Sequence, residues 1–563
     1  MTWRSESLPP VPGPTAAMVK AAFPKGNLYV DLRTEFGAIY DDNLFAGLYA
    51  KRGRPVEIAP WRLALVTVMQ YIEGLTDRQA ADAVRRCMDW KYALSLELSD
   101  PGFNFTLLHD FRERLLHHET APTLLDTFLI RCKERGWIKV RGAQRTDSTH
   151  VLAAIRTLNR LERVIETLRA ALNQLSEADP QWVRAWTPLD WYECYGPRAD
   201  SFRLPKATSQ REALAVQVGA DGYALMDAIF DGDEASHLRH LPDLEVMRHI
   251  WLQQYYRCTA PGLEEVRWRG KDETPPSALM IQSPYDLDAR YCTKRDTEWV
   301  GYKTHLSETC DEGYPDLITQ VLTTLSTAPD SVMGPTIQQD LAQRDLLPGT
   351  HLVDSGYVDA EFLVTAQSHQ IDVVGPLSSN SGWQSRAATG YGLDAFELDW
   401  EAQSARCPQG SHSVRWTPGR DVSGDPAVRI RFHGPTCRAC EVMSLGLTSR
   451  SRCTAAKDQP RQLTVRPQAQ HEAIQAARKR QETDGFKAQY ALRSGAESMI
   501  SQGVRRFDLR RSRYIGLART QLQQTINATA MNLVRVAQWL RQGGSVSPKR
   551  RPGHFARLNP QLG

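Results

Sequence analysis

His351-Leu352-Val353-Asp354-Ser355-Gly356-Tyr357 is a short apolar run that ends on an acid and a glycine turn. A helix is expected from about Asp359 to Ser368, and Ile371-Asp372-Val373-Val374-Gly375 forms a second apolar run. Strand, helix, strand in this order is a parallel crossover, right-handed almost by default. Asp354 then sits at the carboxyl edge of a sheet, where α/β folds hold their chemistry. Upstream, Trp299 to Leu306 and Asp316 to Thr323 flank Asp311-Glu312-Gly313 and read as an antiparallel hairpin. Parallel and antiparallel pairing together make a mixed sheet, in the α+β or α/β class.

Further upstream, Trp137-Ile138-Lys139-Val140 and the stretch up to Thr146 read as strands that deliver Asp147 at a strand end. A long amphipathic helix follows. Its apolar positions Leu158, Leu161, Ile165, Leu168, Leu172 and Leu175 form one stripe, to be buried against the body or against a second copy of the protein. The Trp-rich, Pro-interrupted segment from Pro180 to Ser283 is expected to be a mostly helical insertion. Residues Leu44 to Arg135 read as helical. Thr76-Asp77-Arg78-Gln79 has capping-box spacing after Gly74, so the two helices there are either a helix-turn-helix or a plain helical hairpin.

The chain has 563 residues, 69 Lys plus Arg against 65 Asp plus Glu, 41% hydrophobic and 24% charged residues. That composition excludes collagen-like, disordered and disulfide-miniprotein classes, and the length suits about three or four domains. Prolines rather than an apolar region follow the start, and Leu63 to Ile72 is too short to span a bilayer, so an intracellular, cytoplasmic protein is expected. The net charge of +4 is unevenly spread. Ser501 to Gly563 carries twelve Arg and Lys against Asp508, which makes +11 and leaves −7 for the rest. A basic end on a mildly acidic body points to a polyanion, with a solvated basic tail as the alternative.

Three acids on separate elements form the main constellation: Asp147, Asp354 and Glu497. Tyr490, Arg493 and Glu497 stand at i, i+3 and i+7 and share one face of an expected helix. Gathered carboxylates repel unless a divalent cation neutralises them, and hard oxygen ligands suit Mg²⁺ or Mn²⁺. Two such ions activate a nucleophile and stabilise the leaving oxygen of a phosphodiester. Ten cysteines without a secretory signal favour reduced thiols or metal ligands. Cys437-x2-Cys440 is a zinc knuckle in spacing, and Cys407 and Cys453 complete a candidate four-thiolate Zn²⁺ site, with His412 and His433 as substitutes. The interval of 143 positions from Asp354 to Glu497 is too long for a simple connection, so a small inserted domain is expected, and Val428 to Phe432 makes it β-rich. Arg505, Arg506, Arg510, Arg511 and Arg513 follow the third acid, and guanidinium groups match phosphate oxygens.

Arg145-Thr146-Asp147-Ser148-Thr149-His150, Gly301-Tyr302-Lys303-Thr304-His305 and Val353-Asp354-Ser355-Gly356-Tyr357 resemble, in this order, the strand motifs of bacterial insertion-sequence DDE transposases. Tyr490-x2-Arg493-x3-Glu497 resembles the third-acid signature of the branch written Y-x2-R-x3-E-x6-K. With Arg510 to Leu517 and the helical N-terminal region, the resemblance covers most of the chain. It implies a ribonuclease-H-like mixed-sheet catalytic core in which Asp147, Asp354 and Glu497 hold two Mg²⁺ or Mn²⁺ ions. One position departs from the signature: Val504 stands where lysine is expected, with Arg505 and Arg506 beside it.

The expected organisation is a helical N-terminal domain, a candidate for DNA binding, over 1–136. The first part of the core spans 137–375, with the helical insertion at about 151–283. A small inserted domain, a candidate zinc ribbon, covers 376–465. Residues 466–541 close the core with the third acid and a basic face, and 542–563 form a disordered basic tail. The function implied is DNA transposition. Double-stranded element ends and target DNA are the partners, Tyr490, Arg493, Arg505, Arg506, Arg510, Arg511 and Arg513 are DNA contacts, and a homodimer acts without a membrane, near the nucleoid. The other readings are a transposase-derived DNA-binding protein without catalysis, and a metal-dependent nuclease without strand transfer.

Overall fold

The structure is a computed structural model that describes residues 8–50, 56–231, 233–260, 263–378, 391–440, 453–454 and 459–544. The expected tail is outside the described residues beyond 544. Thirteen strands are described: β1 (Ala143–Leu152), β2 (Tyr255–Ala260), β3 (Leu263–Trp268), β4 (Arg290–Lys294), β5 (Thr297–Thr309), β6 (Ile318–Leu325), β7 (Thr350–Val353), β8 (Asp372–Val374), β9 (Glu397–Asp399), β10 (Ser404–Arg406), β11 (Ser413–Arg420), β12 (Pro426–Phe432) and β13 (Gln462–Val465).

The central sheet runs β4-β5-β1-β7-β8, and β6 pairs with the second half of β5. β5 is antiparallel to β4, β1 and β6, whereas β1–β7 and β7–β8 are parallel. The expected hairpin and the expected strand-helix-strand crossover through Ala360–Ser368 are both present. Gly301 is required by the close approach of β1 and β5. A Cβ there would meet the Val151 carbonyl oxygen at 2.1 Å.

Two local expectations are corrected. Residues 137–140 are not a strand, and Asp147 lies in the middle of β1 rather than at its end. β1 continues to Leu152 because the 13-residue β5 pairs with it from Gln144 to Leu152. Tyr490 and Glu497 do not share one helix. The chain turns between Asp484–Ala491 and Ser494–Arg506, and Arg493 is the N-cap residue of the second helix. At the interruption the bonds tighten to i→i+3, with Arg493 N–H to Tyr490 O at 2.9 Å and Gly495 N–H to Leu492 O at 3.3 Å, and Arg145 of β1 adds a donation to the Leu492 carbonyl at 3.0 Å.

The helical segment ahead of the sheet shares its core with the C-terminal helix. Pro60–Glu73 starts with proline at its first position, ends on Gly74 at φ +68°, and is buried on nearly every side. It packs against Leu517–Arg541, which also lies on β6. There Asn532 accepts from the Ile318 N–H and donates to the Ile318 carbonyl, both at 2.8 Å. One hydrophobic core therefore runs from Tyr29 through Leu306 and Val353 to Ala537. The capping box at Thr76 and Gln79 is formed, and Asp77–Arg86 follows it.

Between β1 and β4 the chain makes a second core. Arg160–Ala178 starts with a capping box of Asn159 and Glu162. It buries Leu161, Ile165, Leu168 and Leu175 against Thr208–Phe230 and Pro242–Gln254, so its stripe faces its own chain. The insertion is mostly helical and also holds the β2–β3 hairpin. Thr208–Phe230 is long and apolar enough to cross a membrane by length and composition, with 33% of its apolar window buried here. Between β8 and the Gln468–Gln481 helix lies a small β module. It consists of β9–β10 and the sheet β11-β12-β13 around Phe396, Val428, Ile430, Phe432, Leu463 and Val465.

Candidate functional site

The parallel pairing of β1 and β7 sets Thr146 opposite Val353. The next residues on the two chains are Asp147 and Asp354, so one register brings two acids side by side from segments more than 200 positions apart. Glu497 arrives in the first turn of Ser494–Arg506. The centre of the three is a guanidinium. Arg493 Nη2 lies 2.7 Å from Asp147 Oδ2 and 3.8 Å from Asp354 Oδ2, and its Nη1 lies 3.4 Å from Glu497 Oε1.

The electrostatics follow from burial. The Asp147 side chain is 12% exposed, and burial raises its carboxyl above the usual range; Arg493 pulls it back and Asp354 pushes it up. Burial works against the Arg493 charge, yet Asp147 and Asp354 hold its pKa above the ordinary value. Its Nε is buried and has no hydrogen-bond partner among the described residues. Asp354 is half exposed, and Glu497 is open to solvent at 73%. Asp147 Oδ1 also accepts from the Ser148 N–H at 2.8 Å, and Asp354 Oδ1 from the Ser355 N–H at 2.7 Å, which fixes both carboxylates.

A family model described as a transposase DDE domain matches residues 406–537. A second, described as a transposase domain (DUF772), matches residues 18–114. Together the two matched spans indicate an insertion-sequence DDE transposase. No curated protein and no solved structure matches the chain. Glu497 lies inside the first matched span, and Asp147 and Asp354 precede it.

Behind the acids the transposase has a polar layer that sequence reading missed. Lys303 Nζ donates to Asp330 Oδ1 at 2.9 Å, and Ser148 Oγ to Asp330 Oδ2 at 3.3 Å. Burial pushes Asp330 up, but the hydrogen bond and charge of Lys303 hold it below the usual carboxylate value. His305 Nδ1 meets the Tyr357 hydroxyl at 2.6 Å, and His351 Nε2 meets the Thr146 hydroxyl at 2.7 Å. Burial drives both histidines down to about 4, so they are neutral at pH 7. Lys303, His305 and Tyr357 sit inside the motifs quoted from the sequence, so the signal was present; Asp330 lies outside every motif.

The seven expected DNA contacts of the transposase separate by environment. Arg505, Arg506 and Arg511 are exposed. Arg510 Nε donates to Thr149 Oγ1 at 2.9 Å. Arg513 is committed to the fold: it covers the Tyr71 ring and donates to the Leu75 carbonyl at 3.1 Å. Tyr490 stacks on Phe486 and is partly buried, and Arg493 is taken up by the acids. Val504 is half-buried and packs against the main core, so the one residue that departs from the signature serves as an apolar packing residue. A basic groove of about 1420 Å³ in the helical insertion was not expected from sequence. It is lined by Arg160, Arg211, Arg257, Arg267, Arg269 and Lys271; among the described residues Arg257 and Arg267 form ion pairs there, with Asp227 and Glu265, and Arg160 donates to Gln254 Oε1 at 2.5 Å. The run Arg267-Trp268-Arg269-Gly270-Lys271 carried the signal.

The four candidate zinc thiols of the transposase, Cys407, Cys437, Cys440 and Cys453, border one small cavity. Burial pushes the Cys453 thiol up to about 11, and the other three add to the shift. Among the described residues no three His, Cys, Asp or Glu side chains stand close enough together to hold a metal ion as they are. The same holds for the three acids, whose centre the Arg493 guanidinium fills.

Proposed function

We propose that this transposase cleaves the ends of its own element and joins the freed 3′ ends to target DNA. Asp147, Asp354 and Glu497 act as the metal-holding triad on a ribonuclease-H-like core. The observation that carries the reading is the convergence of three carboxylates, from β1, from the end of β7 and from a distant helix, on one positively charged centre.

The donor set fits a divalent cation. All three side chains offer hard oxygens, and the burial that raises the Asp147 carboxyl is a cost that a bound cation would offset. Two Mg²⁺ or Mn²⁺ ions, when bound there, supply activation of a water or 3′-hydroxyl and stabilisation of the leaving oxygen. The residues of the chain do the rest. Asp147 and Asp354 are held rigid by the sheet and by their neighbouring N–H groups. Glu497, exposed on the first turn of its helix, has the freedom to adjust to a ligand. Exposed Arg505, Arg506 and Arg511, with the basic groove of the insertion, carry phosphate contacts to element ends and target. Paired ends require paired subunits, so the acting species is a homodimer.

The test is excision of a marked element from a donor plasmid by wild type, Asp147→Asn, Asp354→Asn and Glu497→Gln. Wild type is expected to excise, and each isosteric variant to bind element ends but leave the donor intact. Excision by any one of the three at the wild-type rate removes that acid from the triad. A folded, end-binding wild type that never cuts would shift the reading to a DNA-binding protein without catalysis.

A further inference from the structure

The β module between β8 and the Gln468–Gln481 helix has a small core of its own. Seven buried hydrophobic residues form it: Phe396, Ala405, Val428, Ile430, Phe432, Leu463 and Val465. Units of roughly 70–80 residues or fewer rarely hold together on apolar burial alone, and disulfides or a structural metal commonly supply the remainder. None of its four cysteines is in a disulfide. All four nevertheless line the same cavity, of about 30 Å³, together with Phe432 and Arg461.

The backbone around them is shaped for sulfur. Cys407-Pro408-Gln409-Gly410-Ser411 forms a tight loop between β10 and β11, closed by Gly410 N–H to Cys407 O and Cys407 N–H to Ser411 O, both 2.8 Å. Gly410 takes φ +80°, which a Cβ would strain, and this bend lets the Ser411 N–H reach Cys407 Sγ at 3.3 Å. A backbone donor aimed at a cysteine sulfur is an outer contact of the kind that orients a metal ligand. On the opposite wall, Cys437 stands in the Gly434–Ala439 helix and Cys440 is its C-cap residue, so the two-residue gap of the knuckle is made by a helix end. Cys453 completes the ring, with its carbonyl held by Arg461 Nη1 at 2.7 Å.

We infer that Cys407, Cys437, Cys440 and Cys453 form a structural Zn²⁺ site that fastens the β module of this chain. Four thiolates give the closed tetrahedral coordination of structural zinc, with sulfurs about 2.3 Å from the ion. Loading requires the four thiols to turn inward across a cavity that holds one or two water-sized spheres, and it releases their protons to solvent. The site is independent of the acid triad.

The experiment is metal analysis of the full-length chain purified under reducing conditions, followed by titration of the metal-stripped chain with cobalt chloride alone. About one zinc per chain is expected. Cys437→Ala and Cys440→Ala should each lose it, and cobalt should give the visible bands of a tetrahedral thiolate complex. Because the alanine variants can fail to fold, the cobalt spectrum of wild type is an independent arm. A wild type that carries no zinc and gives no thiolate band on cobalt addition overturns the site, as does zinc retained at full occupancy by both folded variants.

Discussion

Replacing Arg493 with glutamine tests how the site is balanced. The guanidinium and Asp147 are 13% and 12% exposed and 2.7 Å apart, so they form a nearly buried pair. Breaking such a pair costs about 3 kcal/mol, the low end of the usual range, because Asp147 keeps the Ser148 N–H and Glu497 is mostly solvated. A divalent cation held by the same oxygens has to displace the guanidinium, so the pairing energy opposes metal binding. At about 1.4 kcal/mol per decade, 3 kcal/mol is about a hundredfold in affinity. Arg493→Gln is therefore expected to be less stable by about 3 kcal/mol in EDTA and to bind Mn²⁺ about a hundredfold more tightly. Urea unfolding gives the first quantity. Electron paramagnetic resonance of free Mn²⁺, without DNA, gives the second. A folded variant whose Mn²⁺ affinity is unchanged or weaker refutes the competition, and Arg493 would then be a support of the metal-bound form.

Three further outcomes follow from named contacts. Gly495→Ala would set a Cβ 2.0 Å from Arg145 Nη1, so despite alanine's better helix propensity the variant should lose about 1–3 kcal/mol, read from the urea midpoint; a more stable variant would mean that Arg145 yields freely. His305 and His351 have folded pKa values near 4 against 6.5 unfolded, so the unfolded chain binds more protons between these limits. Their contribution, about 3 kcal/mol each, is whole above pH 6.5 and is lost as the pH falls towards 4; His351→Gln should flatten the pH dependence of the midpoint in that window, and an unchanged slope would contradict neutral burial. Arg505→Ala, Arg506→Ala and Arg511→Ala should each lower the log–log salt slope of DNA binding by about 1, whereas Arg513→Ala should reduce stability and leave the slope alone; a slope change at Arg513 would place a phosphate there.

What could be read from the sequence was whatever short-range pattern determines. The β5–β6 hairpin, the β7-helix-β8 crossover and the Thr76 capping box rest on alternation, turn residues and fixed spacings, and all three are present. The extent of β1 was not legible, because its far end is set by the length of β5, more than 140 positions on. The turn between the two helices around Leu492 was hidden for the same reason: Arg145, which joins the Gly495 N–H on the Leu492 carbonyl, comes from a distant strand. The β2–β3 hairpin is a different case, since Tyr255 to Ala260, then Pro261-Gly262, then Leu263 to Trp268 carried a turn signal that the surrounding helical pattern outweighed. Of the three acids, residue type and order were legible, but the cation among them was not: at i, i+4 from Glu497, Arg493 reads as a surface ion pair, and only the fold turns it inward.

β1 explains how an acid from the far end of the chain finds the other two. Arg145 holds the Leu492 carbonyl, Asp147 holds Arg493, and Thr149 holds Arg510. Leu152 then closes the series, its N–H donating to Arg510 O and its carbonyl accepting from the Ser512 N–H, both at 2.8 Å. Residues 145, 147 and 149 alternate along one strand and so share one face. The segment from 492 to 512 is thus laid along β1 by contacts repeated every second residue, and Glu497 is carried in its middle. Neither the helical insertion nor the β module takes part in these contacts. Either can change in length or sequence without moving the third acid, provided that the 145–147–149 face and its partners stay.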